Sequence, residues 1–333
     1  MRIMITGGAG YIGSHVAKHL LEARGHELCI VDNLSTGSLE TLNALSRVGD
    51  FRFVNTDLSN ENAMDRLFIK TPFDVIFHFA ASIVVSESVQ KPLDYYFNNA
   101  INTARLLKFA LKYGVGKFIF SSTAAVYGEP SEIPASGVRE DFPTSPINPY
   151  GMSKLMGEQM IQDIARANPD FKYVILRYFN VAGADMQGLI GQRFPNATHL
   201  IKIATECASK KRQEMSIYGE DYPTSDGTCV RDYIHVDDLA RAHIDAMRYL
   251  EGNPSDIFNC GYGRGYSVKE VIGCVQKVSG VDFCIKSAPR REGDPAELIA
   301  DSTKIRQKTG WNPQYDSLST IIKSALAWER KNA

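Results

Sequence analysis

Tyr150 and Lys154 stand four residues apart in Tyr150-Gly151-Met152-Ser153-Lys154, just after a proline-rich stretch. On a helix, positions i and i+4 share a face, which brings an ammonium beside a phenol. A nearby positive charge favours phenolate, so a group with an ordinary pKa of about 10 becomes a base around neutral pH. The spacing recurs at Tyr113 and Lys117, where Gly114 and Gly116 interrupt any helix. Only the first pair has a helical setting. A surface tyrosine and lysine is the competing reading. Against it stands Ser121-Ser122-Thr123, at the end of a predicted strand. Ligands of open α/β sheets bind beyond the carboxyl ends of the strands, where the Thr123 hydroxyl can hydrogen-bond a reacting oxygen.

A second group is built for phosphate. Gly7, Gly10 and Gly13 follow a short apolar strand and open a helix. Backbone without Cβ approaches a pyrophosphate closely, and a helix N-terminus presents free amides and a positive dipole end. Three such glycines are a weak signal alone, but Asp32 closes the next strand about 20 residues on. A carboxylate there accepts from the adenosine ribose diol and repels a 2′-phosphate, so NAD is expected rather than NADP. The competing reading is a tight turn with Asp32 as a cap.

These residues need an α/β frame. Strands are predicted at Arg2–Ile5, Glu27–Val31, Phe51–Asn55, Asp74–Phe79, Lys117–Ser121 and Val174–Arg177, with helices at Tyr11–Ala23, Asn98–Tyr113 and from Tyr150. That alternation predicts a Rossmann-type, doubly wound parallel sheet over residues 1–180, with a return segment near 230–262. Five prolines make Gly128–Pro149 a loop. Beyond Asn180 the pattern is irregular, which predicts a smaller, discontinuous mixed α/β lobe over 181–333 for the substrate.

The chain has 333 residues, 37 basic and 38 acidic, with a net charge of −1. That balance leaves no footprint for nucleic acid or an anionic membrane. The start is not a signal peptide and no 18-residue apolar run occurs. Six scattered cysteines without a CxxC pair read as reduced thiols, so a cytoplasmic protein is expected.

At these motifs the chain resembles the UDP-glucose 4-epimerases of the extended short-chain dehydrogenase/reductase superfamily, over nearly its whole length. The likeness also runs through Asp32-Asn33-Leu34, His78-Phe79-Ala80-Ala81, Asn98-Asn99, Leu176-Arg177-Tyr178-Phe179-Asn180 and Asp226-Gly227-Thr228-Cys229-Val230-Arg231-Asp232-Tyr233-Ile234-His235-Val236. The resemblance implies NAD-dependent inversion of C4 of a UDP-hexose through a 4-keto sugar, with Tyr150 as base, Thr123 as its hydroxyl partner and Lys154 tuning tyrosine and nicotinamide ribose. It implies cofactor contacts from Gly7, Gly10, Tyr11, Ile12, Gly13, Asp32, Asn33, Asp57, Leu58, Phe79, Ala80, Asn98, Tyr150, Lys154 and Phe179. Substrate contacts would come from Thr123, Asn180, His199, Leu200, Tyr218, Arg231, Arg291, Asp294 and Leu298. A homodimer seam on the Asn98–Tyr113 and Tyr150–Arg166 helices is implied as well.

Departures refine this. Threonine replaces the family's frequent serine at 123, and His199 stands where many members have asparagine. Leu298 falls at the hexose-pocket gatekeeper, where a bulky aromatic restricts the pocket and smaller residues admit a 2-acetamido group. Gln192–Lys202 and Pro146–Pro149 look like the bacterial subgroup that turns over UDP-N-acetylglucosamine as well as UDP-glucose, so dual specificity is expected.

Rival readings remain. A 4,6-dehydratase needs an Asp-Glu pair after the threonine, where this chain has Ala124-Ala125. A UDP-uronate 4-epimerase should carry extra cations for the C6 carboxylate. A non-catalytic NAD-sensing regulator has no use for Tyr150, Lys154 and Thr123 together. His15 and His19 have zinc-like spacing but lack further ligands, so no metal is expected. Gly261–Gly265 looks like another phosphate loop, but Ser267 and Glu270 form a capping box, so it reads as a turn into a helix.

Overall fold

The computed structural model describes residues 1–130, 133–194, 197–291 and 293–332. Six strands of the first half are β1 (Arg2–Thr6), β2 (Glu27–Asp32), β3 (Arg52–Asn55), β4 (Val75–His78), β5 (Lys117–Thr123) and β6 (Lys172–Tyr178). The second half adds β7 (Asn180–Ala182), β8 (Glu214–Tyr218), β9 (Val230–His235), β10 (Asp256–Cys260), β11 (Gly265–Ser267), β12 (Cys284–Ala288) and β13 (Glu297–Leu298). The main sheet is parallel throughout, in the order β10-β6-β5-β4-β1-β2-β3.

Strand period 2 explains its two cores. Ile3, Ile5, Phe77 and Ile119 pack one face beside Val16, Leu20 and Leu239. Met4, Ile76, Phe118 and Phe120 pack the other beside Leu67, Leu107 and Ile161. Both faces are apolar because helices cover both. The strand order reverses between β1 and β4, which opens a crevice beyond their carboxyl ends. The glycine loop lies there.

The rest of the chain packs around β9, which pairs in parallel with β7 and β13 and antiparallel with β11; β8 and β12 form a separate parallel pair. Their core joins Ile201, Met215, Tyr233, Val271 and Ile322. No described helix is long and apolar enough to cross a membrane.

Element ends differ slightly from the sequence reading. β5 runs on to Thr123, so the threonine is the strand's last residue. The helix expected over Asn98–Tyr113 begins as a π-helical segment, Tyr96–Ile101, and continues as Asn102–Lys112.

Burial holds three histidines neutral: His78 is pushed down to about 3, and His235 and His243 to about 4. Unfolded imidazoles protonate at about 6.5, so between roughly pH 4 and 6.5 the unfolded chain binds more protons than the folded one. Stability is therefore complete above that window and is lost as pH falls through it. At pH 5.5 each buried imidazole costs about 1.4 kcal/mol. We expect melting to drop by at least about 5 °C between pH 7.5 and 5.5; equal melting temperatures at the two pH values would contradict this assignment.

Candidate active site

A single cavity of about 470 Å³ runs from the glycine loop, past the end of β5, to β8 and β9. Every residue singled out above as a cofactor or substrate contact borders it.

At the first end, Gly7 has φ +70, and a Cβ there would sit 2.7 Å from the Ala80 amide nitrogen. The loop thus crosses the end of β4 at backbone distance. The helix Tyr11–Ala23 starts at Gly10, which has no side chain to cap it, so its first-turn amides line the cavity. Asp32, buried at the end of β2, accepts from the amides of Ala9 (3.0 Å) and Leu34 (2.8 Å). Burial raises its pKa and those two bonds oppose the rise. Next to it, Asn33 donates to Asp57 at 2.6 Å. Burial alone would raise the Asp57 pKa, yet Ser59 and Asn33 hold it low. A glycine cradle that a Cβ would fill, uncapped amides and two acids for diol hydroxyls fit an NAD molecule.

In the middle, Asn148 caps the helix Pro149–Ala167 by accepting from the Gly151 amide at 2.8 Å, with Pro149 in the first turn. That turn sets Tyr150 at the Thr123 hydroxyl, a hydrogen bond that lowers the phenol's pKa against the larger rise from burial. Lys154 donates to the Ser121 carbonyl at 2.8 Å, and burial lowers its pKa to about 7. The expected electrostatics are therefore corrected. Burial raises the phenol's pKa, and the Thr123 hydroxyl opposes that rise. Tyr178, which sequence reasoning left without a role, hydrogen-bonds Ser121 and sits in register with Thr123. Ser82, also missed, accepts from Asn98 Nδ2 at 2.9 Å. The register of β5 and β6 could have flagged Tyr178; nothing in the sequence marks Ser82.

At the far end, Arg231 on β9 is buried and bonds Asp294 and the Pro295 carbonyl. Arg291 lies 3.8 Å over the Tyr218 ring. Leu298, opposite Arg231 in the β9–β13 register, packs with Ala124, Tyr127 and Phe179. His199 precedes the helix Leu200–Ala208, is bonded by Gln192 at 3.0 Å, and burial lowers its pKa to about 4. Asn180 begins β7 at the cavity wall. Within Gln192–Lys202, Pro195 and Asn196 lie outside the described residues.

The decoys resolve physically. Tyr113 ends a helix and bonds Asp65 at 2.7 Å, while Lys117 opens β5. His15 bonds the Tyr11 carbonyl and His19 reaches Asp237, with no metal-binding group among the described residues. The amides of Tyr262 and Gly263 are bound to the Asp232 carboxylate at 2.9 Å each, so this loop already holds an anion of its own. The capping box of Ser267 and Glu270 is present.

The chain is similar to known proteins over nearly its whole length. A UDP-glucose 4-epimerase from Azospirillum brasilense is 50% identical over 330 residues, covering 99% of this chain and 92% of its own length. The structure of the UDP-Glc/GlcNAc 4-epimerase from Campylobacter jejuni is 54% identical with a TM-score of 0.86, covering 99% of each chain. A Bifidobacterium longum UDP-glucose 4-epimerase, solved in complex with NAD+ and UDP, superposes with a TM-score of 0.95 at 38% identity, covering 100% of this chain and 99% of that one. With residues 3–261 also matching the family's own pattern, the chain belongs to the NAD dependent epimerase/dehydratase family.

Proposed function

We propose that this enzyme inverts C4 of UDP-linked hexoses, with NAD resident in the cavity. The observation that carries the reading is one cavity lined by Tyr150, Thr123 and Lys154, by the dinucleotide cradle, and by the cations Arg231 and Arg291. Residues 1–180 with the 230–262 return segment would hold NAD, and 181–333 the UDP-sugar. Bound NAD supplies the hydride acceptor and donor at C4. Thr123 holds O4, and Tyr150 removes the O4 proton as C4 is oxidised and returns it to O4 when C4 of the turned keto sugar is reduced from its opposite face. Because that proton leaves and comes back, no net charge stays on the enzyme. The Lys154 ammonium, one turn along the helix, favours the forward step; the burial that raises the phenol's pKa favours the return. Arg231 and Arg291 offer planar forks suited to the diphosphate about which the keto sugar turns.

The test is conversion of UDP-galactose and UDP-N-acetylgalactosamine by the purified protein, with products resolved by anion exchange. Both should yield their C4 epimers. Conversion of neither, with NAD added, would overturn the epimerase reading. Leu298 is the side chain that we expect to set tolerance of the acetamido group. Leu298→Tyr should cost about tenfold or more in kcat/KM for the acetamido sugar while leaving UDP-galactose within about threefold. An equal effect on both would remove Leu298 from that role.

The helices that line one flank expose Leu93, Phe97, Ile101 and Met156. Such an apolar face suits a second copy of the chain, and Phe97→Glu should turn a sedimenting dimer into a monomer. The six free cysteines suit a cytoplasmic setting.

A further inference from the structure

We propose that Glu158, with Arg177 as its counter-ion, is a positioning residue for the Tyr150/Lys154 pair, an inference that rests on the epimerase reading. Tyr150, Lys154 and Glu158 follow one another at i, i+4 and i+8 along the same buried face of the helix Pro149–Ala167. Three successive residues of β5 receive them. The Thr123 hydroxyl meets Tyr150, the Ser121 carbonyl takes Lys154, and the Ser122 hydroxyl donates to Glu158. A helix seated at one point can still rotate about its axis; seated at three, it cannot. Glu158 is the anchor with the most bonds.

Its carboxylate is wholly buried and takes both arms of the Arg177 guanidinium, Nε at 3.0 Å and Nη2 at 2.6 Å. Arg177 continues the network. Its Nη1 donates to the Tyr127 hydroxyl at 3.0 Å, and Tyr127 donates to Asn259 at 2.7 Å. Asn259 donates to the Val138 carbonyl at 2.7 Å, and the Val138 amide donates to the Ile299 carbonyl at 2.8 Å, one residue from Leu298. One connected set of bonds therefore joins Ser122, the neighbour of Thr123, to the wall of the hexose pocket.

Stability does not require an ion pair here. Replacing a buried pair by apolar side chains of similar volume is often neutral or favourable, whereas removing one partner strands a charge. What the pair adds is geometry. It is directional, bidentate and linked to Ser122, the neighbour of Thr123, so it fixes the distance between the phenol and the oxygen it must serve.

The test uses the holoenzyme and UDP-galactose. The paired change Glu158→Gln with Arg177→Met removes both charges and leaves neither stranded. We expect bound NAD and KM to stay within about threefold of wild type while kcat falls about twentyfold or more. Wild-type kcat in the folded double variant overturns the proposal. So does a joint loss of NAD, KM and kcat, which marks a general structural role. Should the double variant not fold, Glu158→Asp decides: the carboxylate is kept but drawn back by one methylene. A kcat about fivefold lower at unchanged KM supports the proposal, and wild-type kcat overturns it. Wild-type protein that leaves UDP-galactose unconverted sinks the epimerase reading, and the positioning role with it, since no reaction remains to be served.

Discussion

Tyr150→Phe should lower kcat for UDP-galactose by about a thousandfold, because general acid–base transfer by a placed side chain is worth roughly 10²–10⁴. The change removes one oxygen. The ring keeps its edge contact with Tyr95, whose centroid is 6.5 Å away, and the Thr123 hydroxyl keeps the Ala125 amide that donates to it at 3.1 Å. Folding and NAD content should therefore persist, which separates loss of chemistry from loss of site. The measurement is turnover beside the nucleotide released on denaturation. A variant that keeps full NAD and turns over within a factor of about ten of wild type would mean that another group moves the O4 proton. Tyr178 would then be the residue to replace, since its hydroxyl lies beside Ser121 and a charge on Tyr150 raises its pKa.

Gly13→Ala should empty the cofactor site. A Cβ at Gly13 would lie 2.4 Å from the Gly7 carbonyl oxygen and 3.0 Å from the Gly8 Cα. Both are backbone of the phosphate loop itself, so relief requires opening the loop rather than turning a side chain. We expect NAD affinity to fall by a hundredfold or more, about 2.7 kcal/mol, and the purified protein to carry little nucleotide. High added NAD should restore part of the turnover, because Tyr150 and Lys154 stand on a different helix. Stoichiometric NAD in the purified variant would show that the loop is not the pyrophosphate cradle. The two substitutions divide the site: one keeps the cofactor and loses chemistry, the other keeps the chemical groups and loses the cofactor.

Local rules carried much of this protein. Short unbroken apolar runs at Ile3–Ile5 and Val75–Phe77, glycines between a strand and a helix, and an aspartate at the next strand end are short-range patterns. They depend on backbone sterics and side-chain alternation, so they can be read without knowing what lies across the fold. The Tyr113/Lys117 decoy failed for the same local reason, two glycines inside a helical spacing.

Other features came into being only when distant segments met. Burial reversed the expected electrostatics of Tyr150, because desolvation is set by everything packed around the phenol and not by its helical neighbour alone. Glu158, on a helix, found Arg177 on β6, and Ser82 found Asn98 across a loop. The turn at Gly261–Gly265, read from the sequence as leading into a capped helix, gives the amides of Tyr262 and Gly263 to Asp232 on β9. The sequence by itself determined the types and the local placement of the reacting groups: the phenol, the ammonium, the hydroxyl and the glycine cradle. Tertiary structure alone decided their charge states and partners, since a pKa and a hydrogen bond depend on separations and burial that no stretch of chain sets by itself.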